Sequence, residues 1–172
     1  MEAADGFDAF VAARGPALLR FAFLLCGDRH RAEDLVQSAL AQAFRRWRTV
    51  VAADHPEAYV RRIVTRQYLS WRRLLSSGEV VAEPRDGPGR PGGVPQPDAA
   101  ADLAARDAAW RLLASLPRRQ RAVLVLRFYE DLDDEAVARV LSCNASTVRS
   151  NAARGLAALR RLVPALDPEA LP

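Results

Sequence analysis

The chain of 172 residues contains no lysine; all 25 of its basic residues are arginine. It has two cysteines, Cys26 and Cys143, far apart and with no CxxC pair or paired histidine near either. That spacing supports neither a zinc site nor a disulfide framework, so buried free thiols are expected. The two histidines, His30 and His55, lie at expected helix starts, with no metal-ligand or nucleophile spacing around them. An enzyme is therefore the least favoured class, and no metal or cofactor is expected. Aromatic residues are few and no β-branched alternation stands out, which disfavours sheet. The start, MEAADGF, is acidic and has no apolar h-region, so no secretory signal is expected. No apolar run is expected to reach the roughly 20 residues that span a bilayer, so no membrane insertion and a cytoplasmic setting are expected.

What is present is helical periodicity and unevenly spread charge. Half of the residues are hydrophobic, enough for a core. The net charge is only +4, yet residues 59–73 carry five arginines and no acid, and so do residues 139–161. Two separated basic patches suit a polyanion better than the net figure does.

The segment 130–163 has the most to say. Asp133, Asp134 and Glu135 place negative charge where a helix N-terminus favours it. Val137, Val140 and Leu141 give that helix one apolar face, and Ser142-Cys143-Asn144 breaks it, with Asn144 suited to cap the next helix. In that second helix Val148, Ala152, Gly155, Leu156, Leu159 and Val163 share a face. Ser146, Ser150, Arg154 and Arg161 lie opposite, with Thr147, Arg149 and Asn151 on the flanks. Two short helices, a three-residue turn and a basic second helix are the parts of a helix-turn-helix. The plainer alternative is an amphipathic helix pair with a solvated arginine face.

Upstream, residues 7–25 read as a helix that Gly15-Pro16 should divide or kink. Residues 29–48 hold the clearest period. Ala32, Leu35, Val36, Ala39, Leu40, Ala43, Phe44 and Trp47 form an apolar stripe, with Asp34, Gln37, Ser38, Ala41 and Arg45 on the far side. Taken alone, that far side is only polar surface. Asp54-His55-Pro56 opens a third helix. Its expected inner side is Val60, Ile63, Val64, Gln67, Trp71, Leu74 and Leu75. Arg61, Arg62, Thr65, Arg66, Leu69, Arg72 and Arg73 lie outward, with Tyr68 at the border. Such a face can grip phosphates and stack bases, or simply be solvated. Residues 76–98 are rich in proline and glycine and show no period, which reads as a linker. Helix resumes over 99–115, with Leu103, Trp110, Leu113 and Leu116 inward, and restarts after Pro117; Pro164 should end the last helix. The expected fold is all-α: two small helical domains, 7–75 and 99–164, around that linker.

The order of the pieces resembles a known family. AEDLVQSALAQAFRRW (32–47), AYVRRIVTRQYLSWRR (58–73) and LPRRQRAVLVLRFYEDLDDEAVARVLSCNASTVRSNAARGLAALR (116–160) resemble an extracytoplasmic-function (ECF) sigma factor of the sigma-70 family, closest to the SigE-like group of actinobacteria. The resemblance implies a region 2 helical bundle and a region 4 helix-turn-helix. It implies that Glu33, Asp34 and Gln37 meet the clamp helices of the RNA polymerase β′ subunit. It places Arg61, Arg62, Thr65, Tyr68, Trp71, Arg72 and Arg73 at the −10 promoter element, where strands open. Ser146, Thr147, Arg149, Ser150 and Arg154 would meet the −35 element. Core polymerase, with its β flap, and promoter DNA are the implied partners, and an anti-sigma factor is left open. The function implied is promoter recognition and strand opening in transcription initiation. The alternative is a helix-turn-helix regulator that does not join polymerase. Two departures stand out: Arg66 where the family often has asparagine, and Ser142 where glycine usually begins the turn. Serine tolerates a positive φ poorly, so a strained or altered turn is expected there.

Overall fold

The computed structural model describes residues 2–76 and 110–162, with side chains described over 6–70 and 110–162. The chain divides into two compact units, Met1–Gly89 and Arg90–Pro172. Among the described residues every regular element is a helix. The expected linker, Leu103, Val163 and Pro164 lie outside the described residues, as do the side chains of Trp71, Arg72 and Arg73.

The first unit contains α1 (Glu2–Cys26), α2 (Arg29–Arg45), α3 (Trp47–Val51) and α4 (Pro56–Ser76). Gly27 takes a φ of 70°, which glycine adopts without steric cost, and its N–H donates to the Phe23 carbonyl at 2.7 Å to close α1. Asp28 then caps α2, its Oδ1 accepting from the Arg31 N–H at 2.7 Å. The core is drawn from all four helices: Leu18, Phe21 and Leu25; Leu35, Val36, Ala39 and Ala43; Trp47 and Val50; Val60 and Val64. Each large apolar side chain so buried contributes about 1.5–3 kcal/mol. The α2 stripe expected from the period is present through Ala43, with Leu40 only half-buried and Phe44 half exposed against Phe7 at 4.9 Å between ring centroids; the helix expected over 29–48 breaks at Arg46, so Trp47 opens α3. Cys26 is a free, part-buried thiol that donates to the Asp28 carbonyl at 3.3 Å. Burial pushes its pKa up, so the thiol form persists at neutral pH.

Two expectations for α1 are corrected. Gly15-Pro16 does not divide it, and Pro16 sits inside one continuous helix. Its stretch Gly6–Cys26 is also long and apolar enough to cross a membrane by length and composition. In this unit the helix instead packs Leu18, Phe21, Ala22 and Leu25 into the shared core.

The second unit begins, among described residues, with a helical stretch at 110–114. It continues with α5 (Arg118–Leu124), a π turn (Val125–Tyr129), α6 (Asp134–Leu141) and α7 (Ala145–Leu162). The Arg121 guanidinium is buried and donates to the carbonyls of Ala114 at 2.8 Å and Leu116 at 3.2 Å. It thus satisfies carbonyls that the preceding helix end leaves open. Val123, Leu126, Val137, Val148 and Ala152 form the centre of the core. Gly155 of α7 lies where α5 comes closest: a Cβ there would stand 3.1 Å from Leu124 Cδ1.

Candidate nucleic-acid interface

On α2, Asp34 and Gln37 are exposed on the side away from the core stripe. They are three residues apart, hence neighbours on one helical face. Glu33 points back along the helix, pairing with Arg29 at 2.9 Å and lying 3.9 Å from His30.

On α4 the structure rotates the expected face. Thr65 and Tyr68 are 0% and 3% exposed, so both belong to the core of this unit and not to the outward and border positions expected from the period. The Thr65 hydroxyl donates to the Arg61 carbonyl at 2.9 Å, which satisfies a polar atom in the core through its own helix. Arg61, expected on the outward side, is half-buried. Its guanidinium pairs with Glu57, one turn earlier, and lies 5.5 Å from the centre of the Phe21 ring. Glu57 also meets Arg14 of α1 at 3.3 Å.

With Tyr68 inward, Ile63 and Gln67 move out of the core onto the wall of an open groove of about 320 Å³ between α2 and α4. Gln42, Arg46, Tyr59, Arg62, Arg66 and Ser70 complete its lining, so it holds three arginines and no acid. Gln67 Nε2 donates to Gln42 Oε1 at 3.4 Å across it. The groove offers positive charge with a tyrosine on its wall, as a nucleic-acid strand requires. Arg46, Gln42 and Tyr59 were not singled out from the sequence. Arg46 stands at the α2–α3 junction, where the helical period breaks and face assignments fail.

In the second unit the turn and the caps fall where the sequence places them. Asp133 Oδ1 accepts from the Ala136 N–H at 2.7 Å and caps α6. Asn144 Oδ1 accepts from the Thr147 N–H at 2.8 Å and from the Ser146 hydroxyl at 2.9 Å, capping α7. Ser146, Arg149, Ser150 and Arg154 are exposed on α7, and Thr147 is half-buried beside them. Arg154 lies back along the helix, its Nε donating to the Ser150 carbonyl at 3.2 Å. Asn151, expected on the flank, is buried, with its amide donating to the Thr147 carbonyl at 2.8 Å. Ser142 closes α6 in the left-handed region at φ 51°, ψ 53°, so the glycine-type turn is kept with serine in it. Left-handed geometry costs a non-glycine residue roughly 1–2 kcal/mol. Glycine returns part of that as unfolded-state entropy. Ser142→Gly is therefore expected to stabilise this unit by about 0.5–1 kcal/mol, read as a higher urea midpoint with an unchanged slope.

Helices α6 and α7, joined by a tight turn with a capped, basic and exposed second helix, define a helix-turn-helix protein. The chain matches the family description "Sigma-70 region 2" over residues 10–77 and "Sigma-70, region 4" over residues 106–159. It is 36% identical over 166 residues to the RNA polymerase sigma-E factor of Streptomyces coelicolor, covering 95% of this chain and 89% of that one. It is 33% identical over 169 residues to the sigma-E factor of Streptomyces avermitilis, covering 95% and 88%. Identity to the ECF RNA polymerase sigma factor SigE of Mycolicibacterium smegmatis is 31%, over 92% of this chain and 62% of that one. The fold is similar to that of the sigma factor RpoE from Bartonella quintana, solved with the anti-sigma factor NepR. The TM-score is 0.65 at 22% identity, covering 94% of this chain and 99% of that one. The chain belongs to the sigma-70 family and is an RNA polymerase sigma factor. Core RNA polymerase and promoter DNA are its partners.

Proposed function

We propose that the three exposed faces divide the work of initiation. Asp34 and Gln37 on α2 dock on the β′ clamp helices of core polymerase. The groove walled by Arg46, Arg62 and Arg66 receives the −10 strand as the duplex opens, and the family resemblance adds Trp71, Arg72 and Arg73 to the residues serving that element. Arginines there hold phosphates, which fix register, and base identity is read where unstacked bases reach the groove. Ser146, Arg149, Ser150 and Arg154 on α7 meet the −35 element in a major groove. The second unit also meets the β flap. The factor carries out no covalent chemistry itself and works in the cytoplasm with polymerase. An anti-sigma protein that covered these faces would hold it inactive.

The observation that supports this reading is that Asp34 and Gln37 stand exposed together on α2, within the stretch that matches sigma-70 region 2, where the family resemblance puts the polymerase contact. The test is to mix the purified chain with bacterial core polymerase and follow complex formation. Run-off transcription from a genomic promoter library then gives the promoter motif. A stable complex with new, sequence-selective transcripts is expected. Binding of the lone chain to a duplex with no polymerase complex would overturn the docking assignment.

A further inference from the structure

We propose that Asp134 is a positioning residue for the recognition helix. Its carboxylate restrains Arg149 by one edge, so that this arginine addresses a base edge rather than the nearest phosphate. The inference rests on α7 being the promoter-reading helix.

Asp134 is the first residue of α6, but Asp133 already caps that helix, so the Asp134 carboxylate is available for other work. Its side chain is only 17% exposed and lies between two arginines from different elements. Oδ1 is 3.3 Å from Arg127 Nε on the π turn, and Oδ2 is 3.9 Å from Arg149 Nη1 on α7. The Arg127 guanidinium also lies 5.6 Å from the centre of the ring of its exposed neighbour Phe128. The carboxylate thus faces Arg127 with one oxygen, as an ion pair without a hydrogen bond, and Arg149 with the other.

Arg149 is 61% exposed, so it is free to reach outward while tethered at one edge. At 3.9 Å the tether is an ion pair and not a tight hydrogen bond. Guanidinium has five N–H donors in a rigid fork, so one engaged edge leaves others for a base. A restrained arginine also has less freedom left to lose when it docks. The same carboxylate repels phosphate, which disfavours registers in which Arg149 would merely grip the backbone. Specificity of this kind comes from weakening wrong complexes as much as from strengthening the right one. Arg154, lying back on the Ser150 carbonyl, is the contrasting arginine, suited to phosphate.

The test uses the full chain bound to core polymerase. A duplex is selected from a randomised −35 library by the wild-type complex and compared with a scrambled duplex of equal length, over a salt series. Asp134→Asn and Asp134→Ser are made beside Arg149→Ala, and urea unfolding checks each fold. Both Asp134 variants are expected to lower the ratio of selected to scrambled affinity about tenfold and to broaden base preference at one position. Binding to the scrambled duplex should hold or rise. An unchanged ratio, or an equal loss on both duplexes, with Arg149→Ala still impaired, would overturn the positioning role and leave the reading of α7 intact. If Arg149→Ala itself binds and selects as wild type does, the reading of α7 fails and takes this inference with it.

Discussion

Asp34→Arg combined with Gln37→Ala is expected to weaken binding to core polymerase by roughly 2–5 kcal/mol, about thirtyfold or more, while thermal unfolding is unchanged. Both side chains are exposed on α2, on the side away from Leu35, Val36 and Ala39, so the change leaves the core alone. Reversing a charge at a docking face sets like charges together or strands a partner, and both act after folding is complete. Titration of labelled core polymerase, with a melting curve of each protein, separates the two quantities. Equal affinity of variant and wild type would remove these residues from the interface.

The second large effect falls on the recognition helix. At Gly155 a Cβ would already stand 3.1 Å from Leu124 Cδ1 and 3.4 Å from its Cγ. Valine adds two methyl groups beyond that point and must push α7 off α5. Gly155→Val is expected to destabilise the second unit by about 1–3 kcal/mol, as overpacking usually does. A domain of this size has only about 3–9 kcal/mol in total, so −35 binding should fall with it. Gly155→Ala is the informative control. Alanine's better helix propensity, worth roughly 0.8–1 kcal/mol, offsets the single close contact. A small change for alanine and a large one for valine, read by urea denaturation of the intact chain, is the expected pattern. Equal midpoints for wild type and valine would mean that Leu124 yields freely.

The sequence made α2 legible and α4 only half so, for one physical reason. In α2 the inward residues are all apolar, so the 3.6-residue period and the core coincide. In α4 the core takes in Thr65, whose hydroxyl is satisfied by its own helix, and Tyr68. A phase fitted to hydrophobicity therefore put Ile63 and Gln67 inward and turned Thr65 outward. Arg61 misled in the same way, since a basic residue reads as surface until Glu57 and Phe21 are seen beside it. The caps at Asp133 and Asn144 were legible because capping is local chemistry. The groove was not, because Arg46 stands at the α2–α3 junction, and no spacing in the sequence connects it to Arg62 and Arg66 on α4. The Asp134 tie escaped for the same reason, joining a π turn, a helix start and a recognition helix. The π turn itself, VLRFY, has no compositional mark, and it leaves Phe128 65% and Tyr129 45% exposed.

Trp47 has a further use. Its ring centre lies 5.2 Å from that of Phe7 and 5.3 Å from that of Phe10, so these two rings of α1 form its lid. It is 7% exposed, and the polarity around the indole depends on that lid being seated. The chain thus carries its own optical reporter. With Trp71 and Trp110 replaced by phenylalanine, the emission wavelength of the remaining indole registers whether the N-terminal turns are docked, without any attached dye.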